Sequence, residues 1–176
     1  MSFDERQFRD ALGRFATGVA VVTSQIDGVK VAMTVSSFNA VSLRPPLVLF
    51  SIARNSQSFD LWQRAETFAV MVLQEGQGAL STKFATPGGS KWHDVVAVSG
   101  VTGVPLLPTW LACFECNVYA RYDGGDHEIV VGQVVALQHD SRQSLEPLVF
   151  YGGRYRVLRA DSGYGTGPGD IWLHGW

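Results

Sequence analysis

Three features of the sequence predict a mainly β fold, a closed or nearly closed antiparallel β-barrel with short flanking helices. Glycine and proline, 19 and 7 residues, recur along the chain and cut it into short apolar runs. One stretch alternates cleanly, with Ala112, Phe114, Cys116, Val118 and Ala120 on one side and Glu115, Asn117 and Arg121 on the other. Roughly eight such strands with two or three helices fit a barrel, because closure removes exposed sheet edges.

The first segment is helical rather than extended. Ser2 and Glu5 have the spacing of a capping box, and Phe8, Ala11, Leu12 and Phe15 share one helical face, so an amphipathic helix is expected over 3–15. Val19 to Thr23 is a β-branched run, Asp27-Gly28 a tight-turn dipeptide, and Val29 to Val35 the returning strand of a hairpin. Pro45-Pro46 cannot sit inside a central ladder and precedes a strand from Leu47 to Ile52. Ser56 is the expected N-cap of a short helix reaching Ala65, with Phe59 and Trp62 facing inward. Thr67 to Leu73 returns as strand, and Gly78 to Phe84 is a second short helix.

Residues 85–110 carry little periodicity, hold Pro87-Gly88-Gly89 and Pro105, and are expected to run over the surface. Beyond the alternating strand, Asp123-Gly124-Gly125 turns the chain into a second long strand, Glu128 to Leu137. Leu148 to Tyr151 and Tyr155 to Leu158 close a last hairpin around Gly152-Gly153. Residues 1–160 thus form a single domain. Residues 161–176 form a Gly-rich tail whose Ile171, Trp172, Leu173 and Trp176 are expected to dock on this chain or another.

Composition narrows the function. Hydrophobic residues are 46% and charged ones 17%, which excludes a disordered chain. The net charge of −2 offers no basic excess for a phosphate backbone, so no nucleic acid partner is expected. No apolar run approaches the roughly 20 residues of a bilayer span. The first residues lack the pattern of a signal peptide, so a cytoplasmic protein without membrane contact is expected.

Several catalytic patterns find little support, and a Ser-His-Asp triad has no G-x-S-x-G elbow behind it. Cys113 and Cys116 form a C-x-x-C, but inside a strand residues three apart point to opposite faces, so the sulfurs should diverge. Histidines 93, 127, 139 and 174 have no metal-ligand spacing, and no metal site is expected. Gly163, Gly165 and Gly167 do not have G-x-G-x-x-G spacing. Two hydroxyl-rich segments stand out instead. Thr34-Val35-Ser36-Ser37-Phe38-Asn39 follows a buried strand, and Ser51 to Ser58 runs into a helix start, where hydroxyls and amides can take a phosphate.

The order of several motifs resembles the flavin reductase family of FMN-binding split barrels, the reductase components of two-component flavin-dependent monooxygenases. The resemblance spans Phe8 to Leu158. Its landmarks are Phe15-Ala16-Thr17-Gly18-Val19-Ala20-Val21-Val22-Thr23, Met33-Thr34-Val35-Ser36-Ser37-Phe38, and Ser42-Leu43-Arg44-Pro45-Pro46-Leu47-Val48. Asn55-Ser56, Gly125-Asp126-His127 with Gly132, and Leu148-Val149-Phe150-Tyr151-Gly152-Gly153-Arg154-Tyr155 complete it.

The resemblance implies a homodimeric NAD(P)H:flavin oxidoreductase that supplies reduced FMN or FAD to a partner monooxygenase. It implies that Thr34, Val35, Ser36, Ser37 and Phe38 line the flavin ring, and that Ser51, Ile52 and Ala53 run beside it. It puts Ser56 and Ser58 on the phosphate, with Lys83 and Phe84 nearby. It gives the nicotinamide nucleotide to Asn39, His127, Tyr151, Gly152, Gly153 and Arg154, and makes His127 the one catalytic residue, chiefly for positioning. Lack of a basic pair beside His127 leans toward NADH over NADPH; FMN against FAD stays open. Ala85 to Trp92 departs from the charged, aromatic sequence of relatives. A flavoprotein reductase of a metal centre and a non-catalytic flavin-binding module remain alternatives.

Overall fold

The computed structural model describes residues 2–88, 91–141 and 146–158. Its elements are α1 (Glu5–Leu12), β1 (Thr17–Gly18), β2 (Ala20–Ile26), β3 (Val29–Val35), β4 (Asn39–Leu43), β5 (Pro46–Ala53), α2 (Phe59–Gln63) and β6 (Thr67–Val72). They continue with α3 (Gly78–Ala85), β7 (Val98–Ser99), β8 (Pro105–Leu106), β9 (Ala112–Gly124), β10 (His127–His139), β11 (Val149–Tyr151) and β12 (Arg154–Arg156). The tail expected over 161–176 lies outside the described residues.

Seven strands form one antiparallel sheet in the order β3-β2-β6-β9-β10-β5-β4. Consecutive strands β3 and β4 therefore lie at opposite edges of the ladder. A flat sheet of this width would hold its edges about 29 Å apart. Only Ser36-Ser37-Phe38 joins them, and Val35 to Asn39 can span about 14 Å at full extension. The sheet must curl until its edges meet. They meet without a β3–β4 ladder among the described residues, which makes the barrel split rather than closed. The Ser37 hydroxyl pins the seam, accepting from the Ser51 amide at 3.0 Å and donating to the Ser51 carbonyl at 3.4 Å.

Each face of the sheet carries its own core. Phe50, Trp62 and Phe68 centre one cluster, with Ile52 and Val130. Phe84, Met71, Leu73 and Leu107 centre the other. Cys116 belongs to the first and Cys113 to the second, so the two sulfurs do diverge across the sheet. Gly132 marks the tightest approach within the sheet. A Cβ there would lie 2.7 Å from Phe68 Cε1 and 2.8 Å from Cys116 Cβ.

Four local expectations are corrected. The N-cap of α1 is Asp4, not Ser2: its carboxylate accepts from the Gln7 amide at 2.7 Å, and Gln7 Oε1 accepts from the Asp4 amide at 3.0 Å. An ionised carboxylate beside the positive end of a helix caps more strongly than a hydroxyl. The helix at 56–65 shortens to Phe59–Gln63 with Ser58 as N-cap, because the Ser56 amide and carbonyl are used in turns to Ala53 and Phe59.

The third correction is the excursion over 85–110. Val104, Leu106 and Leu107 are buried, and β7 and β8 fold back over the sheet. The fourth follows from it. Glu115, expected on a polar face, is 1% exposed, its Oε2 accepting from the Thr102 amide at 2.9 Å and hydroxyl at 2.8 Å. Alternation cannot distinguish a solvent face from a second core. Strand β4, paired with β5, was not expected at all.

Candidate active site

The seam of the barrel opens into a cleft of about 920 Å³. This lies near the upper end of the roughly 300–1,000 Å³ typical of small-molecule sites. One wall is the end of β3 and the link after it, Thr34 to Ser37. The other is the end of β5, Ser51 to Ala53, followed by the turn that carries Ser56 and Ser58. Phe84 comes from α3 and His127 from the start of β10. Residues from two edges of the ladder thus face one space because the sheet curls.

Local bonding fixes these groups. Thr34 Oγ1 donates to the Ser81 carbonyl at 2.7 Å, which ties β3 to α3. The Ser56 and Ser58 hydroxyls lie 3.3 Å apart. Neither is consumed in capping α2. His127 is placed from two directions. Its Nδ1 lies 2.7 Å from Asp126 Oδ1, and this hydrogen bond holds the Asp126 carboxyl below the usual carboxylate range. Arg54 straps the adjoining turn to β5. Its amide donates to the Asp126 carbonyl at 2.9 Å, its Nε to the Gly125 carbonyl at 3.0 Å and its Nη2 to Asp123 Oδ1 at 2.7 Å.

Comparison with known proteins gives this cleft its chemical context. Residues 12–159 match the model of the flavin reductase like domain. The chain is 43% identical over 152 residues to the FMN reductase (NADH) SmoA of Agrobacterium fabrum, covering 86% of this chain and 85% of that one. It is 36% identical over 160 residues to HsaB of Rhodococcus jostii, the reductase subunit of a flavin-dependent monooxygenase, covering 91% and 81%. Among solved structures, the NADH:FAD oxidoreductase SgcE6 of Streptomyces globisporus, in complex with NAD and FAD fragments, superposes with a TM-score of 0.84 at 36% identity, over 90% of this chain and 95% of that one.

The chain belongs to the flavin reductase family.

Within this flavin reductase fold, the sequence-expected site residues divide into two groups. Thr34, Val35, Ser36, Ser37, Ser51, Ile52, Ala53, Ser56, Ser58, Phe84 and His127 all line the cleft. Phe38 packs instead on Phe114, with ring centroids 5.4 Å apart, against the first core. Asn39 is exposed at the start of β4, and its Oδ1 accepts from the Ala40 amide at 2.9 Å. Lys83 Nζ donates to the His93 carbonyl, away from the cleft lining.

Tyr151, Gly152, Gly153 and Arg154 form the β11–β12 turn, which is outside the lining and is tied to Gly13 by the Gly152 amide at 2.9 Å. The same hairpin nonetheless borders the site. Phe150 and Tyr155 line a pocket of about 150 Å³ that shares Thr34, Val35, Ser36 and Ala85 with the cleft. Tyr155 donates to Ser81 Oγ at 2.8 Å, docking the hairpin on α3.

Sequence reasoning missed Arg54, Gln57, Tyr155, Lys91 and Trp92 as site residues. Lys91 Nζ donates to the Phe84 carbonyl at 2.8 Å and the Ala32 carbonyl at 3.3 Å, and burial lowers its pKa. Trp92 stands edge-on to Phe84 at 5.3 Å. The one available signal was a lysine and a tryptophan side by side after a run of small residues, Ala85 to Ser90.

The cysteines stay outside the chemistry. Burial, reinforced by the Glu115 charge, pushes Cys113 up to about 12. Burial, with Cys113 and Glu115 adding to it, pushes Cys116 up to about 12 as well. Both remain protonated at neutral pH and carry no thiolate nucleophile.

Proposed function

We propose that the protein is an NAD(P)H-dependent flavin reductase that transfers hydride from the dihydronicotinamide to FMN or FAD and hands reduced flavin to a separate monooxygenase. The observation that carries this reading is the convergence of the Thr34–Ser37 wall, the Ser51–Ser58 wall and His127 on one cleft in a chain of this family. The residues fit a flavin. The walls offer peptide groups and hydroxyls to a flat ring with a polar edge, and the paired Ser56 and Ser58 hydroxyls suit a phosphate.

The flavin, when bound, supplies the hydride-accepting chemistry. The chain's residues bind, align and shield. The Ser37–Ser51 and Thr34–Ser81 bonds make the walls rigid, so ring-lining peptides need not reorganise when a ligand enters. Asp126 holds His127 at Nδ1, which leaves Nε2 to orient the nicotinamide co-substrate. Phe84 lends an apolar surface that helps exclude water. No side-chain acid or base is needed for hydride transfer, so His127 acts by positioning. The β11–β12 turn, Tyr151 to Arg154, lies outside the cleft lining and is given no role in this reading, and NADH is the expected donor.

We also propose a homodimer located in the cytoplasm. Apolar residues of α1 and of the turn after it support the dimer: Phe8, Leu12 and Phe15 are 52%, 58% and 77% exposed, an arrangement that calls for a partner surface.

The test is NADH oxidation by purified protein, with and without added FMN or FAD, followed by the loss of nicotinamide absorbance. Oxidation that saturates with flavin is expected. Flavin binding without NADH oxidation would instead indicate a storage module and would remove His127 from its role.

A further inference from the structure

The histidine that faces the cleft has little of its own to hold it still. The His127 side chain is 44% exposed, and that of its bonding partner Asp126 is 93% exposed. Both follow Gly124-Gly125, and Gly125 has a positive φ of 77°. A turn of this composition is among the softer parts of a fold. The bond from Nδ1 to Asp126 fixes the ring relative to Asp126, and therefore only as well as the Asp126 backbone is itself fixed.

Arg54 grips that backbone. It stands in the chain between Ala53 and Asn55, which both line the cleft, yet its own side chain lies outside the lining. It reaches the β9–β10 turn instead. One edge of the guanidinium donates twice, from Nε to the Gly125 carbonyl at 3.0 Å and from Nη2 to Asp123 Oδ1 at 2.7 Å. Asp123 Oδ1 also accepts from the Gly125 amide at 3.3 Å, so the three residues close a ring of bonds. The hydrogen bond to Arg54 holds the Asp123 carboxyl below the usual carboxylate range. The Arg54 amide takes the Asp126 carbonyl at 2.9 Å. Both carbonyls before His127 are thus bonded to one residue. The guanidinium is placed in turn by Phe59, the first residue of α2, whose ring centre lies 5.8 Å from Cζ. A planar fork held along one edge and covered on one face has less freedom than an ammonium in the same place.

We propose that Arg54 is the positioning residue for His127: from behind the cleft it clamps the β9–β10 turn to β5 and so sets the imidazole that orients the nicotinamide co-substrate. The inference rests on the flavin reductase reading and deepens it. It makes the co-substrate half of the site separable from the flavin walls, since both side-chain hydrogen bonds of Arg54 go to the turn. The fold does not depend on this side chain. The Arg54 amide bond and the pairing of His127 with Ala53 are main-chain contacts that survive its replacement, and an exposed ion pair adds little to stability.

The experiment compares full-length wild type with Arg54→Met, Arg54→Lys, His127→Ala and the double variant Arg54→Met/His127→Ala. FMN affinity is read by flavin fluorescence, and NADH kinetics are measured at saturating FMN. Arg54→Met should lower kcat/KM for NADH about tenfold, as a small misplacement of a substrate-orienting group does, with FMN affinity and the urea midpoint nearly unchanged. In the His127→Ala background the same change should cost less than about twofold, because Arg54 acts through the imidazole. Arg54→Lys keeps the charge and loses the fork, and should recover only part of the loss. In flavin-free protein, nitrogen NMR of Arg54→Met should show the His127 ring signals moving toward those of a free imidazole.

An equal loss in both backgrounds would overturn the proposal by giving Arg54 a direct contact with the co-substrate. A parallel fall in FMN affinity would overturn it by making Arg54 part of the flavin walls. Full recovery in Arg54→Lys would overturn it by reducing Arg54 to a counter-charge. Wild-type protein that oxidises no NADH with either flavin would defeat the flavin reductase reading and this proposal with it. Active wild type with an indifferent Arg54→Met would defeat the positioning role alone.

Discussion

Strand β6 and the cleft walls at 34–37 and 51–58 share one barrel and have opposite habits. In β6, Phe68, Ala69, Val70 and Met71 are all 0% exposed, and ladders to β2 and β9 occupy both edges. The cleft walls mix hydroxyl and apolar residues at strand ends, where Thr34 and Val35 pair only with β2 and Ser51 to Ala53 only with β10, so one edge of each stays open at the seam. The contrast shows where this fold can bind. A strand buried on both faces and paired on both edges has no group left for a ligand. The seam keeps such groups because two edges of one sheet meet there without joining.

That contrast can be broken from the rigid side first. Arg121 donates to Glu128 Oε1 and to the carbonyls of Trp62 and Ala65, each at 2.9 Å, tying the end of α2 to β9 and β10. Arg121→Met leaves Glu128, 8% exposed, without its counter-charge. Unfolding free energy should fall by about 3 kcal/mol, measured by urea denaturation. Gly132→Ala pushes a methyl into Phe68 and Cys116. It should cost about 1–3 kcal/mol by the same measurement, the range for overpacking a dense core.

Changes on the cleft side should separate affinity from stability. Ser56→Ala with Ser58→Ala removes hydroxyls that face the cleft and cap nothing. FMN affinity should fall at least about tenfold, the equivalent of one hydrogen bond to a charged group. The urea midpoint should stay nearly unchanged, and a marked loss of stability would show that the walls belong to the core after all.

The smallest effect concerns the thiols. Their raised pKa values mean that the folded chain retains protons that the unfolded chain loses. Stability from this source is complete below the ordinary cysteine value near pH 8.5 and declines as pH rises from there toward 12. Native protein should resist thiol reagents at pH 8.5 and react fully once unfolded. Fast native labelling would place the C-x-x-C outside the core.

Legibility in the sequence followed the same division. The hairpin at Asp27-Gly28 was readable because both residues adopt positive φ, 50° and 79°, as that dipeptide predicts. The divergence of Cys113 and Cys116 followed from strand periodicity alone. Glu115 was misread because its cover, β7 and β8, comes from a segment without periodicity. The Ser and Thr side chains of the cleft walls were visible as an oddity of composition, and only the family resemblance attached a ligand to them. Arg54, Tyr155, Lys91 and Trp92 escaped because each acts through a contact that is remote in sequence or lies in an aperiodic loop.

The sequence alone was enough for the long strands and their hairpins, since these depend on neighbours two to four residues away, but not for β4, β7 and β8 or for the buried face of Glu115. The tertiary structure alone decided that β3 and β5, five places apart in the sheet order, would form the two walls of one cleft. The physical reason is the three-residue link from β3 to β4. It is too short to cross a flat sheet, so it forces the curl that brings the walls together.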